Sequence, residues 1–379
     1  MDSGAPQADD VRPQYNFIVM GHDISSNALG RAISLVLVTR ELGPSALLAF
    51  GSGSVWKGAK QFDVAIKRLS RSWKDEVRDQ LQRAPATQNV VWLAKGIAPL
   101  DKAAQFVAEH DPQAIILLDL DDDDAGLAES FANRSLTNRL RLHPWRRSNP
   151  RRIRSSQLAI AESADGFTFS SHALATVYPR SFEPAGRIPH VRLSMQESVN
   201  RAAAKSETVR FGSFGTLRPH KGSGLLLELM RHDRSMTLVT FANCGLGQPD
   251  SSDCNWEELP PDTPLDVAYS QVDVSVIPIT ESGSGAQYQL PAKLIDSLQW
   301  RTPVLATPTP AIKEIAEGAF TPLSNSMSPA DVAKQIRLLA SSDDGSRGAA
   351  RFHELLTPQA AAKELAQLID HIVSLCRAQ

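Results

Sequence analysis

Short, uniformly apolar runs recur along the chain, separated by stretches of helical spacing. In the first half, NFIVM (16–20), SALLAF (45–50), NVVWLA (89–94), AIILLDL (114–120) and GFTFSS (166–171) read as strands. Between them, ALGRAISLVLVTREL (28–42), closed by Gly43, and DKAAQFVAEHD (101–111) read as helices, as does HALATVY (172–178), which leads into the short run RIPHVRL (187–193). Residues 195–207 lack a strand signal and read as an interdomain connection, after which the alternation restarts. VRFGSFG (209–215), MTLVTFAN (236–243), DVSVIPI (273–279) and PVLATP (303–308) are the second set of strands. GSGLLLELMRHD, TPLDVAYSQVD, LPAKLIDSLQW and AIKEIAEG supply the helices between them, and residues 328–379 read as helix with a break at Gly345. Strands alternating with helices predict an α/β fold of two Rossmann-like, doubly wound domains, 15–197 and 198–355, behind a loose tail at 1–14. Two such units face each other across a cleft, and ligands bind at the carboxyl ends of their strands.

Composition changes this picture little. The 379 residues are 42% hydrophobic and 22% charged, a globular profile long enough for two cores. Forty Lys and Arg nearly balance 42 Asp and Glu, so whole-chain charge selects no partner. Three cysteines, Cys244, Cys254 and Cys376, lack paired spacing, which argues against a disulfide framework and a zinc site and for a reducing compartment. The acidic, proline-containing start has no basic flank or apolar core, and no apolar run is long enough to cross a bilayer, so the cytoplasm is the expected location.

Two segments carry chemistry. FGTLRPHKG (214–222) leaves a strand and enters a helix; its glycines allow close backbone approach, and the helix start offers unpaired N–H groups. Arg218 and Lys221 add positive charge at the same strand exit, which suits a diphosphate leaving group. The bland alternative is a glycine turn with solvated basic side chains. In QYQLPAKLIDSLQWRTPVLATPTPAIKEI (287–315), Pro291 suits a helix start, and Lys293 and Asp296 project from one face of that helix. An acid there can accept hydrogen bonds from ribose hydroxyls; the bland alternative is a surface Lys–Asp pair worth a few tenths of a kcal/mol.

Together these segments resemble the donor domain of GT-B glycosyltransferases of the large retaining group that includes glycogen-synthase-like and mannosyltransferase enzymes. Gly215, Lys221 and Gly222 match the first element, Asp273, Val274 and Pro278 the strand that follows, and Asp296, Pro303, Val304, Ala306 and Thr307 the helix and last strand. Pro291-Ala292-Lys293 matches the P-x-K subgroup. The resemblance implies that Arg218 and Lys221 act on the donor diphosphate, with Gly215, Gln289, Ala292 and Lys293 around it and Asp296 on the donor ribose. It implies a final helix, 356–379, that packs back on the first domain, and no cofactor or metal, because basic residues and helix dipoles neutralise the leaving group. The first half resembles the acceptor domain more loosely, placing Gly30 and Arg31 toward the cleft. Two departures stand out: Tyr288 occupies the position of the family's first acid, and Arg301 replaces the glycine usual before T-P-V.

The expected function is therefore transfer of a sugar, a hexose by preference, from a UDP- or GDP-sugar to a sugar, lipid-linked or small-molecule acceptor, with retention at the anomeric carbon. The alternatives are a non-catalytic nucleotide-sugar-binding scaffold and a sugar-nucleotide epimerase. Residues 119–124, DLDDDD, suit a hard cation in principle, but the favoured reading is a solvated strand-end loop with one carboxylate toward the acceptor. Eight arginines lie between 134 and 154, interleaved with Leu140, Leu142 and Trp145. Such a patch serves an anionic membrane face or a phosphorylated acceptor, with a solvated, internally paired face as the alternative; nucleic acid is not expected. The nine histidines form no metal pair, and His220 is the one placed to touch phosphate.

Overall fold

A computed structural model of the protein describes residues 15–83, 87–133, 138, 143, 146–194, 208–217, 221–246, 255–280 and 284–378. The tail at 1–14 and the connection at 195–207 fall outside these residues, as do Arg218, His220 and Cys254.

The chain builds two wholly parallel sheets. The first joins β1 (Tyr15–Gly21), β2 (Ser45–Ala49), β3 (Ile66–Arg68), β4 (Gln88–Ala94), β5 (Ile115–Leu120), β6 (Gly166–Phe169) and β7 (Ala185–Arg187) in the order β3-β2-β1-β4-β5-β6-β7. The second joins β8 (Val209–Gly212), β9 (Met236–Phe241), β10 (Trp256–Leu259), β11 (Val274–Ile277), β12 (Val304–Ala306) and β13 (Thr321–Pro322) in the order β10-β9-β8-β11-β12-β13. Strand order reverses between β1 and β4 in one sheet and between β8 and β11 in the other. Crevices at the carboxyl ends of strands open at such reversals.

The central strands are largely apolar because both of their faces are covered. Along β1, Phe17 and Val19 enter one core cluster while Ile18 and Met20 enter the other, as the two-residue period of a strand requires. The Leu29–Thr39 helix is buried at ten of its eleven positions. It lies between the sheet and a second layer, the Pro358–Ala378 helix, and so is apolar almost all round. That last helix carries Ala361, Leu365, Leu368, Ile369 and Ile372 into the core of the first domain. Their three- and four-residue spacing makes one apolar stripe, each large side chain contributing roughly 1.5–3 kcal/mol of burial. The C-terminal helix therefore belongs to the first domain, as expected.

Two turn expectations need correction. The first helix ends at Thr39, and Gly43 does not take a left-handed C-cap. It is small because a Cβ there would lie 2.8 Å from the Tyr15 carbonyl oxygen. Likewise Gly345 is not a break: the helices run Pro329–Ala340 and Asp344–Leu355, and Gly345 lies inside the second, where a Cβ would collide with the Arg301 backbone. Gly345→Ala is expected to destabilise the second domain by about 1–3 kcal/mol, the usual cost of over-packing. Chemical denaturation followed by tryptophan fluorescence measures it, and a neutral result would contradict the close approach. Arg301 adopts φ +53°, the left-handed conformation glycine adopts freely, directly after the Ala292–Gln299 helix. The departure at this position is thus one of backbone comfort, with the exposed side chain turned to the surface.

Candidate functional site

The two crevices face each other, and several groups meet across them. At the reversal of the second sheet, β8 ends in buried Ser213 and continues to Gly215, exposed at φ +103° with open space where a side chain would stand. Lys221 follows, half-buried, just before the Ser223–His232 helix. Gly222 caps that helix at φ +70°, and a Cβ on it would collide with Pro278 at the end of β11. Close packing on Pro278 explains why position 222 is a glycine in this chain.

Lys293 stands in the first turn of the Ala292–Gln299 helix and donates from Nζ to Ser213 Oγ at 3.1 Å. Burial, with the like charge of Lys221, lowers its pKa to about 7. Asp296, one turn on, does not pair with it. Its Oδ1 accepts from Arg192 Nε at 2.8 Å, and burial raises its pKa while Arg192 opposes the rise. The surface Lys–Asp pair is thereby replaced by two largely buried groups with different partners. Gln289 is half-buried and Ala292 exposed at the start of this helix. Sequence and structure together bring Gly215, Lys221, Lys293 and Ser213 to one strand-end crevice with Asp296 beside it; Arg218 lies outside the described residues.

Opposite, the first sheet presents Lys95 at the end of β4, in a left-handed conformation at φ +72°. Its ammonium lies 2.5 Å from Asp121, 3.3 Å from Asp122 and 3.2 Å from Asp124, and His190 Nε2 lies 3.3 Å from Asp121. The acidic run is therefore not a solvated loop: Asp119, Asp121 and Asp123 are buried, and Lys95 stands among Asp121, Asp122 and Asp124. Crowding and burial push Asp124 up to about 7, while Lys95 holds Asp121 well below the usual carboxylate range. Burial and Lys95 lower His22, at the end of β1, to about 4, so it is neutral at pH 7. Among the described residues no three His, Cys, Asp or Glu are arranged to hold a metal ion.

Arg31 is wholly enclosed. It makes a two-pronged pair with Asp119 at 2.9 and 2.6 Å and donates to the Ile188 carbonyl at 2.7 Å, while Thr168 bonds the same carboxylate. Gly30 lies against the Trp56 ring, which a Cβ would approach to 3.2 Å. Both residues are thus committed to packing within the first domain.

Further contacts among the described residues tie the domains together. Glu314 accepts from the backbone N–H groups of His172 and Ala173, each at 2.9 Å, and faces Arg187. Gly285 abuts the Leu127 backbone, and Tyr288 packs into an apolar cluster of the first domain. Lys95, Arg192 and Glu314 have no motif in the sequence, while His190 lies in the run RIPHV, which resembles the passage before the family's domain crossover. Lys95 carries at most the weak signal of a charge at a strand end followed by glycine.

No family model and no curated protein matches the sequence. Solved structures do resemble it in fold. HepE of Anabaena in complex with UDP-glucose is 13% identical, covers 94% of this chain and 99% of its own, and has a TM-score of 0.61. A TarM variant of S. aureus in complex with fondaparinux, alpha-GlcNAc-glycerol and UDP is 10% identical, with 94% and 99% covered and a TM-score of 0.61. Sucrose-phosphate synthase of Thermosynechococcus elongatus is 13% identical, with 95% and 100% covered and a TM-score of 0.59. The fold is GT-B: two facing parallel-sheet domains with the last helix returned to the first.

Proposed function

We propose that this chain is a glycosyltransferase that takes a sugar from a UDP- or GDP-sugar, with the donor bound to the second domain. The observation that carries this reading is Lys221 and Lys293 acting on each other beside Ser213, at the strand reversal and at a helix start. Lys293 has no carboxylate within ion-pair distance among the described residues. Burial and the Lys221 charge make Lys293 give up its proton readily, and a nearby anion is needed to keep it there. A diphosphate meets that need, and its charge grows as the bond to the sugar breaks, so the same groups stabilise the transition state more than the ground state. Lys221 and Arg218 are the proposed catalytic residues; Gly215, Gln289, Ala292 and Lys293 line the diphosphate, and Asp296 takes the ribose. Positive side chains and helix amides supply the neutralisation without a metal or cofactor. The sugar leaves with retention of configuration, and a hexose is the proposed cargo.

The acceptor, a sugar, lipid-linked or small molecule, enters against the first sheet, in a domain of residues 15–197 facing one of 198–355. Arg146, Arg147, Arg151, Arg152 and Arg154 are exposed, and Arg154 is paired with Glu129. Their density supports contact with an anionic inner membrane face or anionic acceptor. Arg134, Arg139 and Arg141 lie outside the described residues. Among the described residues no helix is long and apolar enough to cross a membrane. A second reading, a nucleotide-sugar-binding scaffold, draws on Tyr288, whose ring packs on the first domain where the family carries an acid.

Calorimetry with UDP and GDP tests the donor site. Lys293 titrates at about 7, so at pH 8 it is mostly neutral in the free protein. A bound diphosphate favours the charged form, so binding is expected to take up close to one proton (~0.9) at pH 8, read from buffers of different ionisation enthalpy. Lys293→Met should abolish the uptake. Binding without proton uptake in the wild type counts against the assignment; binding without transfer to any acceptor favours the scaffold.

A further inference from the structure

We propose that Arg192 is the positioning residue of the donor site: carried on the crossover between the domains, it fixes one oxygen of the Asp296 carboxylate and leaves the other for a ribose hydroxyl. The inference rests on Asp296 taking the ribose and adds the partner that makes it able to.

The geometry is specific. Arg192 Nε donates to Asp296 Oδ1 at 2.8 Å, and both side chains are nearly enclosed, at 13% and 10% exposure. The rest of the guanidinium is anchored from other directions. One terminal nitrogen donates to the Val191 carbonyl at 3.1 Å, and the guanidinium carbon lies 5.7 Å from the centre of the Phe62 ring in the first domain. The Arg192 backbone N–H donates to the Leu356 carbonyl, and Gln299, from the same helix as Asp296, donates to the Leu193 carbonyl. The Ala292–Gln299 helix is thereby bonded to the crossover at two points, and the Asp296 rotamer is set by a residue 104 positions away.

A single side-on bond differs from a closed two-pronged pair such as Arg31 with Asp119. It supplies the counter-charge without using both carboxylate oxygens. An isolated buried carboxylate would tend to take up a proton instead. Other titratable groups near Asp296 are His190 on the crossover and Tyr269 on the Leu265–Ser270 helix. Lys293, one turn back, is directed to Ser213. On the far side, the Asp344–Leu355 helix packs through Gly348 on Leu298, and its Arg351 is held by the Glu314 and Ile315 carbonyls. Arg192 is thus the charged group hydrogen-bonded to Asp296.

The sign of the pH effect follows. Burial raises the Asp296 pKa and Arg192 lowers it, so removing Arg192 lets it climb further. The carboxylate then fades as pH falls, and ribose affinity fades with it. UDP binding is to be measured by calorimetry between about pH 6 and pH 8 for the wild type, Arg192→Lys, Arg192→Met, Asp296→Asn and the double variant R192M/D296N. Arg192→Met is expected to bind UDP about tenfold more weakly at pH 7, and the deficit relative to wild type should grow toward pH 6. Taking the ratio to wild type cancels the titration of Lys293 and of the nucleotide. Arg192→Lys, which keeps the charge, should stay within about threefold with a flat ratio. In the Asp296→Asn background, Arg192→Met should add no pH dependence, because no carboxylate remains to protonate. A flat ratio for Arg192→Met, or the same pH-dependent loss with and without Asp296, would overturn the proposal while leaving the donor site intact. Failure of the wild type to bind UDP or GDP removes the donor reading and this inference together.

Discussion

Lys221→Ala is expected to lower sugar transfer by about 100- to 1,000-fold, the usual cost of removing one preorganised charge donor from a transition state. Lys221 is half-buried at the mouth of a helix, with no part in a core cluster, so thermal stability should change far less than turnover. Removing it also relieves the like charge that helps hold Lys293 near 7. Lys293 then carries its proton more fully and recovers part of the lost attraction, so the double variant with Lys293→Met should fall well below either single one. Arg218→Ala, at the same strand exit, should lose transfer on a similar scale. Turnover of a labelled donor by the purified proteins decides the matter, and unchanged rates in both Lys221→Ala and Arg218→Ala would remove the assigned donor site.

The largest expected loss of stability is at Arg31. The guanidinium and Asp119 carboxylate are both at 0% side-chain exposure. Arg31→Met should cost about 3–5 kcal/mol, because Asp119 is left buried and charged with, among the described residues, Thr168 as its remaining side-chain donor. Most of that cost is the stranded partner. The double variant R31M/D119L should therefore regain much of the loss, since a well-packed apolar pair avoids the desolvation of both ions. Urea denaturation reads both effects. A single-variant loss of only a few tenths of a kcal/mol would mean that water reaches the pair, and would reopen a cleft-facing role for Arg31.

The difference between these two residues shows what can be read from sequence. Lys221 lies in a local pattern of strand, glycine turn and helix, where every part of the argument is within a few residues. The loose resemblance of the first half places Arg31 toward the cleft, but the direction of its side chain depends on Asp119, 88 positions on. The acidic run shows the same dependence on distant partners. Charges at 119–124 look solvated in a linear reading, because nothing local reveals that Lys95 stands among Asp121, Asp122 and Asp124. The very short strands, such as β3, β10 and β13, were also illegible, since two to four residues carry no periodicity of their own. The glycine at 345 suggests a break there, whereas the break lies at 341–343 and Gly345 is small because the Arg301 backbone, from another segment, presses against it.

By itself the sequence determined the alternation of strand and helix, the two sheets and the chemistry available at the second strand reversal. Burial of both sheet faces imposes continuous apolar runs, and a tight strand-to-helix turn imposes glycine at fixed local positions. The tertiary structure alone decided which charges face each other: Lys95 with Asp121, Asp122 and Asp124, Arg31 with Asp119, Arg192 with Asp296, and Glu314 with the start of another domain's helix. Ion pairs and hydrogen bonds act over a few ångströms in space regardless of separation along the chain, so their partners are set only once the sheets and the two domains have assembled.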